Sequence, residues 1–302
     1  MTYTTFRITA VYDLLLRGTQ AMPVGLYHLH LATAEQLCRL HYRPGTLKTV
    51  KKRLKTLADH GFIQADSVPT RQYRNPYFYT LGAKGIQYLE SIGLDVPQNF
   101  RESKQVGQHY LFVQHALELN DILIAASLLH TVTPAYSLTR FVHEQILKRR
   151  PYTATWQEDG KTQTQRLTPD AFLDFRLDTT NGQRRNPILL EHDRGTEGQE
   201  HFRRRLRAYL VLLKKGDYQQ YLGVKAVTIA FSTFAGEARL KQMRDWTRLE
   251  LATIGAPPSM SGLFLFANLI KPLEPRHVWL ESSWYTIQSN QAPVALLAVE
   301  GP

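Results

Sequence analysis

Glu191 and Asp193 are the residues of this sequence best placed to do chemistry. They stand two apart in ILLEHDRGTE (Ile188 to Glu197), directly after three apolar residues. An apolar run that ends in charge reads as a buried strand emerging at a sheet edge, and carboxylates at i and i+2 of a strand share a face. Two like charges side by side repel unless something offsets them. A divalent metal, a cationic partner and plain solvent exposure are the three solutions. A third carboxylate, Asp170, follows Pro169 in TPDAFLDFRL, which reads as the preceding strand, with NGQ (Asn181 to Gln183) as the turn between. Antiparallel pairing carries the start of one strand to the end of the next, so Asp170, Glu191 and Asp193 are expected to converge. Mg²⁺ takes oxygen donors of this kind.

The elements that must position these acids follow one another along the second half of the chain. FVHEQILKRR carries Glu144, then PYTATWQ and TQTQRL flank a DGK turn (Asp159 to Lys161) as a hairpin. After ILLEHDRGTE, Thr196 and Gln199 have the spacing of a capping box. Phe202, Leu206, Leu210 and Leu213 then stripe a helix that Lys214, Lys215 and Gly216 end, with Arg203, Arg204 and Arg207 off the stripe. KAVTIAFS reads as a strand, EARLKQMRDWTRLEL as a helix, GLFLFANLI as a strand and RHVWLE as another. The order is a meander, then helix, strand, helix, strand. Upstream, HYLFVQHALELNDILIAASLLH reads as a long helix, apolar on most sides and so expected to lie between domains or against a second subunit. His109 and His115 are six apart, a spacing that does not favour a shared metal. The polar DVPQNFRESKQVG (Asp95 to Gly107) reads as a linker.

The first hundred residues hold a different kind of candidate. ITAVYDLLLRG reads as a helix closed by Gly18, and TAEQLCRLHY opens with Thr33 and Gln36 as a capping box. RPGT (Arg43 to Thr46) is a tight turn, and LKTVKKRLKTLADHGF a further helix that Gly61 ends. Leu47, Val50, Leu54 and Leu57 form its apolar stripe; Lys48, Lys51, Lys52 and Lys55 form a second stripe, with Thr49 beside them. Two helices joined by a tight turn, the second edged with lysine, have the organisation of a helix-turn-helix. Phe62 and Ile63 start a strand and PYFYTL returns it, with Arg71, Tyr73 and Arg74 near the tip between them.

Charge supports that placement. The 302-residue chain carries a net charge of +11, and residues 1–100 hold twelve lysines and arginines against six acids. A basic balance points to nucleic acid or an anionic surface and is silent on fold. The single cysteine, Cys38, excludes an internal disulfide and a multi-cysteine zinc site. No apolar run approaches the roughly 18 to 20 residues that a spanning helix needs. MTYTTFR lacks the basic start and apolar run of a signal peptide. The expected place is the cytoplasm, with no membrane partner.

Residues 1–95 resemble winged helix-turn-helix DNA-binding domains. The pattern L..L...G.I appears as Leu54, Leu57, Gly61 and Ile63, and Y.L...G as Tyr79, Leu81 and Gly85. The resemblance implies DNA contact by Lys48, Thr49, Lys51, Lys52 and Lys55 from the recognition helix, and by Arg71, Tyr73 and Arg74 from the wing. Residues 136–302 resemble the restriction-endonuclease-like PD-(D/E)xK fold, with residues 96–135 as linker and long helix. Matched residue by residue, Asp170 and Glu191 are its metal-binding carboxylates, and Asp193 stands where active members carry lysine. An aspartate binds metal but supplies no positive charge, and Arg194 alternates to the other strand face. Catalytic and Mg²⁺-binding roles for Asp170, Glu191 and Asp193 are implied only for an active site. The missing lysine makes a retired one the expectation, with Asp193 paired to an arginine such as Arg203.

The chain as a whole resembles the replication-relaxation proteins of plasmids and conjugative elements, through the winged helix, the middle helix, the PD strand, E-x-D-R-G-T and a late tryptophan strand around Trp279. The expected fold is therefore α+β, a winged helix-turn-helix followed by a restriction-endonuclease-like α/β domain. The expected function is DNA binding in plasmid replication control, mobilisation or transcriptional regulation. Double-stranded DNA, a second copy of the chain, and replication or transfer proteins are the expected partners. A Mg²⁺-dependent endonuclease and a protein-interaction adaptor are the alternatives.

Overall fold

The computed structural model describes residues 20–67, 77–94, 96, 110–180, 182–288 and 292–297. It is a mixed α+β chain in two units, Met1–Leu128 and Leu129–Pro302. The expected first helix (ITAVYDLLLRG), the tip residues Arg71, Tyr73 and Arg74, His109, and all of the expected linker but Val96 lie outside the described residues.

The first unit contains α1 (Ala21–Leu29), β1 (Ala32–Thr33), α2 (Ala34–His41), α3 (Leu47–Asp59), β2 (Ile63–Ser67), β3 (Tyr77–Leu81) and α4 (Ala83–Ser91). It also holds α5 (Tyr110–Val132) as far as Leu128. The three strands form an antiparallel sheet in the order β1-β3-β2. The capping box expected at α2 forms. Gln36 N–H donates to the Thr33 hydroxyl at 3.2 Å, and Thr33 N–H to the Gln36 side chain at 3.1 Å. On α3 the apolar stripe turns inward, with Val50 and Leu54 fully buried. Gly61, at φ +77°, follows the helix in a conformation that glycine adopts without strain. Gly85 has a different reason. A Cβ there would lie 2.1 Å from the Phe62 carbonyl oxygen, so only glycine lets α4 approach the backbone that leads into β2.

α5 is anchored in this unit by polar contacts as well as apolar ones. Val113 and Ala116 pack with Leu31 and Phe78. The Asn120 amide, fully buried, donates to the carbonyls of Leu29 (3.2 Å) and Leu31 (2.6 Å). Gln36 donates to the Leu117 carbonyl at 2.7 Å, and Arg39 pairs with Asp121 at 3.1 Å. Contrary to the reading that no apolar run approaches a membrane span, Leu111–Val132 is long and apolar enough to cross one by length and composition. Asn120 and Asp121, with their partners inside the unit, identify its middle as a core helix.

The second unit holds β4 (Tyr136–His143), α6 (Glu144–Leu147), β5 (Tyr152–Glu158), β6 (Lys161–Leu167), β7 (Ala171–Thr179) and β8 (Gly182–Asp193). Next come α7 (Gln199–Lys215), α8 (Tyr218–Leu222), β9 (Thr228–Thr233), α9 (Glu237–Thr253), α10 (Pro258–Ser261), β10 (Phe264–Asn268) and α11 (Pro275–Trp279). Five strands form one sheet in the order β10-β9-β8-β7-β4. β4, β7 and β8 run antiparallel, while β8, β9 and β10 run parallel, with α7 and α9 in the crossovers.

Three elements differ from the sequence reading. The meander runs through β4, whereas β5 and β6 pair as a separate two-stranded sheet against α7. Their polar alternation buries only Ala154 and Leu167 fully, which suits a covering hairpin and not a central strand. RHVWLE is not a strand: Pro275, with its fixed φ, opens α11, which buries Val278 and sets Trp279 5.0 Å from the Phe175 ring. The capping box expected at Thr196 does not form, because α7 begins at Gln199 with Gly198 as its cap residue. Glu197 is held short of the helix by Arg205 on its side chain and Arg239 on its carbonyl.

Replacing Asn120 by alanine strands two buried carbonyls. The variant should lose about 1–3 kcal/mol of stability in urea denaturation; an unchanged midpoint would show that these bonds do not hold α5.

Candidate functional site

The pairing of Ala171 with Leu190 sets the start of β7 beside the end of β8. Asp170 thereby accepts the His192 N–H on Oδ2 at 2.7 Å. The Asp170 carbonyl accepts the Glu144 N–H at 2.8 Å, and the two carboxylates have oxygens within 4.8 Å of each other. Glu144 is also ion-paired with Lys148.

β8 does not emerge into solvent where its apolar run stops. Glu191, His192 and Asp193 are only 1%, 3% and 4% exposed. β8 is the central strand, and Phe231, Ser232 and Thr233 of β9 continue to pair beside these three residues. The charges are therefore taken into the interior, where each needs a partner. Glu191 accepts Arg205 at 2.9 Å on one oxygen and the Tyr209 hydroxyl on the other, both from α7. Asp193 accepts Arg239 of α9 through two parallel bonds of 2.7 Å. Arg203, the expected partner of Asp193, pairs with Glu250 instead, at 2.7 Å. A cationic partner within the protein answers the repulsion between the two acids.

The rest of the E-x-D-R-G-T phrase follows from the same contact. Asp193 Oδ1 also accepts the Gly195 N–H at 2.6 Å, which folds the chain back at the strand end. Gly195 adopts φ +77°, and a Cβ there would come within 2.9 Å of Ala235. Arg239 closes the loop by donating to the Glu197 carbonyl at 2.8 Å, and its guanidinium lies 4.8 Å from the Trp246 ring centre.

Burial pushes the Glu191 carboxyl up to about 8. The Arg205 guanidinium pulls against that shift, and Asp170 adds to it. Burial alone would lower Arg205, but Glu191 and Glu197 outweigh it and raise its pKa. Tyr209 is raised well above its ordinary value by burial and by Glu191. Asp170, Glu191 and Asp193 do not fit a shared Mg²⁺ as they stand. Both oxygens of Glu191 and of Asp193 are already engaged, and a hard cation requires several open ones.

The second candidate surface is on α3. Lys48, Thr49, Lys51, Lys52 and Lys55 are all exposed. Lys51 pairs with Glu35 at 2.9 Å and Lys55 with Asp59 at 2.7 Å, whereas Lys48 and Lys52 have no ion pair among the described residues.

Arg205, Tyr209 and Arg239 are the residues that sequence reasoning missed. The first two carried a signal: they are four apart and flank Leu206 of the apolar stripe, so both were positioned to enter the interior. Arg239 lies 46 residues from Asp193 and had no local mark.

A family model described as replication-relaxation matches residues 25–228, from α1 to the first residue of β9. No match is found among curated proteins or solved structures.

The Glu191 shift has a signed consequence. With a folded-state value above its ordinary 4.5, this carboxyl favours the fold fully below that value, and the contribution is lost as pH rises through about 8. Wild-type stability should fall between about pH 6.5 and 8, above the range governed by His28, which burial and His41 hold down at about 4. In Glu191→Gln that fall should flatten; urea denaturation at a series of pH values checks it, and an identical slope in both proteins would refute it.

Proposed function

The chain belongs to the replication-relaxation family, and from that premise we propose that it is a DNA-binding protein acting in replication control or mobilisation of a plasmid or other mobile element. The observation that carries this reading is the lysine edge of α3. Val50 and Leu54 hold one face of the helix in the core, while Lys48, Thr49, Lys51, Lys52 and Lys55 stand in solvent. The order α2, tight turn, α3, β2, β3 matches that of a winged helix-turn-helix, in which the second helix enters the major groove. β2 and β3 take the part of the wing, with Arg71, Tyr73 and Arg74 as its contacts. Backbone contacts of that kind position the protein, while base contacts specify the site.

The second unit, in this reading, is a PD-(D/E)xK-like domain that serves assembly or further DNA contact. Its antiparallel meander followed by helix, strand, helix, strand supports that descent. Asp193 in the lysine position and the arginines on both acids of β8 support a structural role for a former metal site. Two copies of the chain would present two recognition helices to one duplex, in the cytoplasm, with replication or transfer proteins as further partners.

Binding to duplex DNA across a salt series tests the reading. Affinity should fall steeply with salt because phosphate contacts release counterions. Lys52→Ala should bind more weakly and reduce the logarithmic salt slope by about one. A flat response, or a variant that binds like wild type, would remove α3 from the interface.

A further inference from the structure

α7 carries a second set of arginines beside those that neutralise β8. Arg203, Arg204 and Arg207 line a cleft of about 440 Å³, shared with Trp156 and Glu158 of the β5–β6 hairpin and Glu250 of α9. Its floor is built around one acid. Glu250, fully buried, accepts Arg203 Nε at 2.7 Å on one oxygen and Arg207 Nε on the other. Glu158 and Glu200 also line the cleft, so its three arginines face three acids, and Arg203 and Arg207 are already held in ion pairs. Arg207 also reaches Glu158 at the hairpin end, and its guanidinium lies 5.9 Å from the Trp156 ring centre. Trp156 is half-buried, with its Nε1 donating to Glu158 at 3.2 Å. Arg204 is exposed and has no ion pair among the described residues.

We propose that this cleft binds one unpaired nucleotide of a DNA single strand, with the phosphate on Arg204 and Arg207 and the base against Trp156. The inference rests on the DNA-binding reading above but assigns a different surface and a different strand state. Pockets for small ligands run from about 300 to 1,000 Å³, a range that admits a nucleotide-sized group. Guanidinium forks match the geometry of phosphate oxygens. An aromatic wall stacks with any base, but in a duplex the bases are already stacked on one another and do not reach it. Glu158 occupies the place of the phosphate in the free protein: it holds Arg207 until a stronger anion displaces it.

Binding of fluorescently labelled oligothymidylate, which forms no duplex with itself, tests the assignment on the full chain by anisotropy. Arg204→Ala and Trp156→Ala should each weaken binding by about tenfold, while Glu158→Gln should bind more tightly. Lys225→Ala, at an exposed lysine that does not line the cleft, should bind the single strand like wild type. Thermal melting controls for folding. Arg204 is exposed, and a gain in Glu158→Gln is not what mere loss of structure produces. Wild-type affinity in Arg204→Ala, or equal losses in Arg204→Ala and Lys225→Ala, would overturn the cleft. Duplex binding that ignores Lys52 while Arg204 still governs the single strand would sink the α3 reading and leave this one standing.

Discussion

A carboxylate buried at the end of the central strand must meet a fixed cation, and the second unit is organised around that requirement at Asp193. Arg239 meets it through two parallel bonds, with Asp193 2% and Arg239 7% exposed at the side chain. Removing one partner of such a pair leaves an uncompensated charge, at a cost of about 3–5 kcal/mol. The same arginine grips the Glu197 carbonyl, so the loop after β8 is shaped by the contact that neutralises the strand end. Two residues earlier, Arg205 and Tyr209 of α7 hold Glu191, whose carboxyl is pushed up to about 8 by burial. α7 and α9 pack on each other, and each supplies one clamp to the same strand.

This arrangement bears directly on chemistry. Acids that gather a hard metal ion need open oxygens. Here the oxygens of Glu191 and Asp193 are spent on the fold, and Arg205 and Arg239 are spent on them. Asp170 remains close to Glu144 and Glu191, and its Oδ2 accepts the backbone of β8. Glu191 and Asp193 thus serve here as fasteners. Lys48 and Lys52 on α3 and Arg204 beside the hairpin are exposed and have no ion pair among the described residues.

What the sequence disclosed was local or periodic. Thr33 and Gln36 announced their capping box because both partners lie within one turn. The helical spacing of apolar residues on α3 revealed Val50 and Leu54, and Gly61 marked the end of that helix. The spacing of the PD strand and ILLEHDRGTE placed Asp170 beside the end of β8, since pairing across a short turn fixes register. Contacts over longer separations were not legible. Nothing near Asp193 names Arg239, and burial of the E-H-D triplet depends on β9 pairing from beyond α7. YSLTRFVH mixes polar and apolar residues, and its partner β7 arrives only after an intervening hairpin. Thr196 and Gln199 had the capping spacing, but Arg205 and Arg239 decide where that helix begins.

The stability of Arg239→Met, compared with wild type by urea denaturation at neutral pH, tests the central claim most directly. Methionine keeps much of the apolar stem and removes the charge, leaving Asp193 buried without its partner. The account requires a loss of about 3–5 kcal/mol. A midpoint within experimental error of wild type would contradict it, and would mean that the acids at the end of β8 do not depend on the arginines that face them.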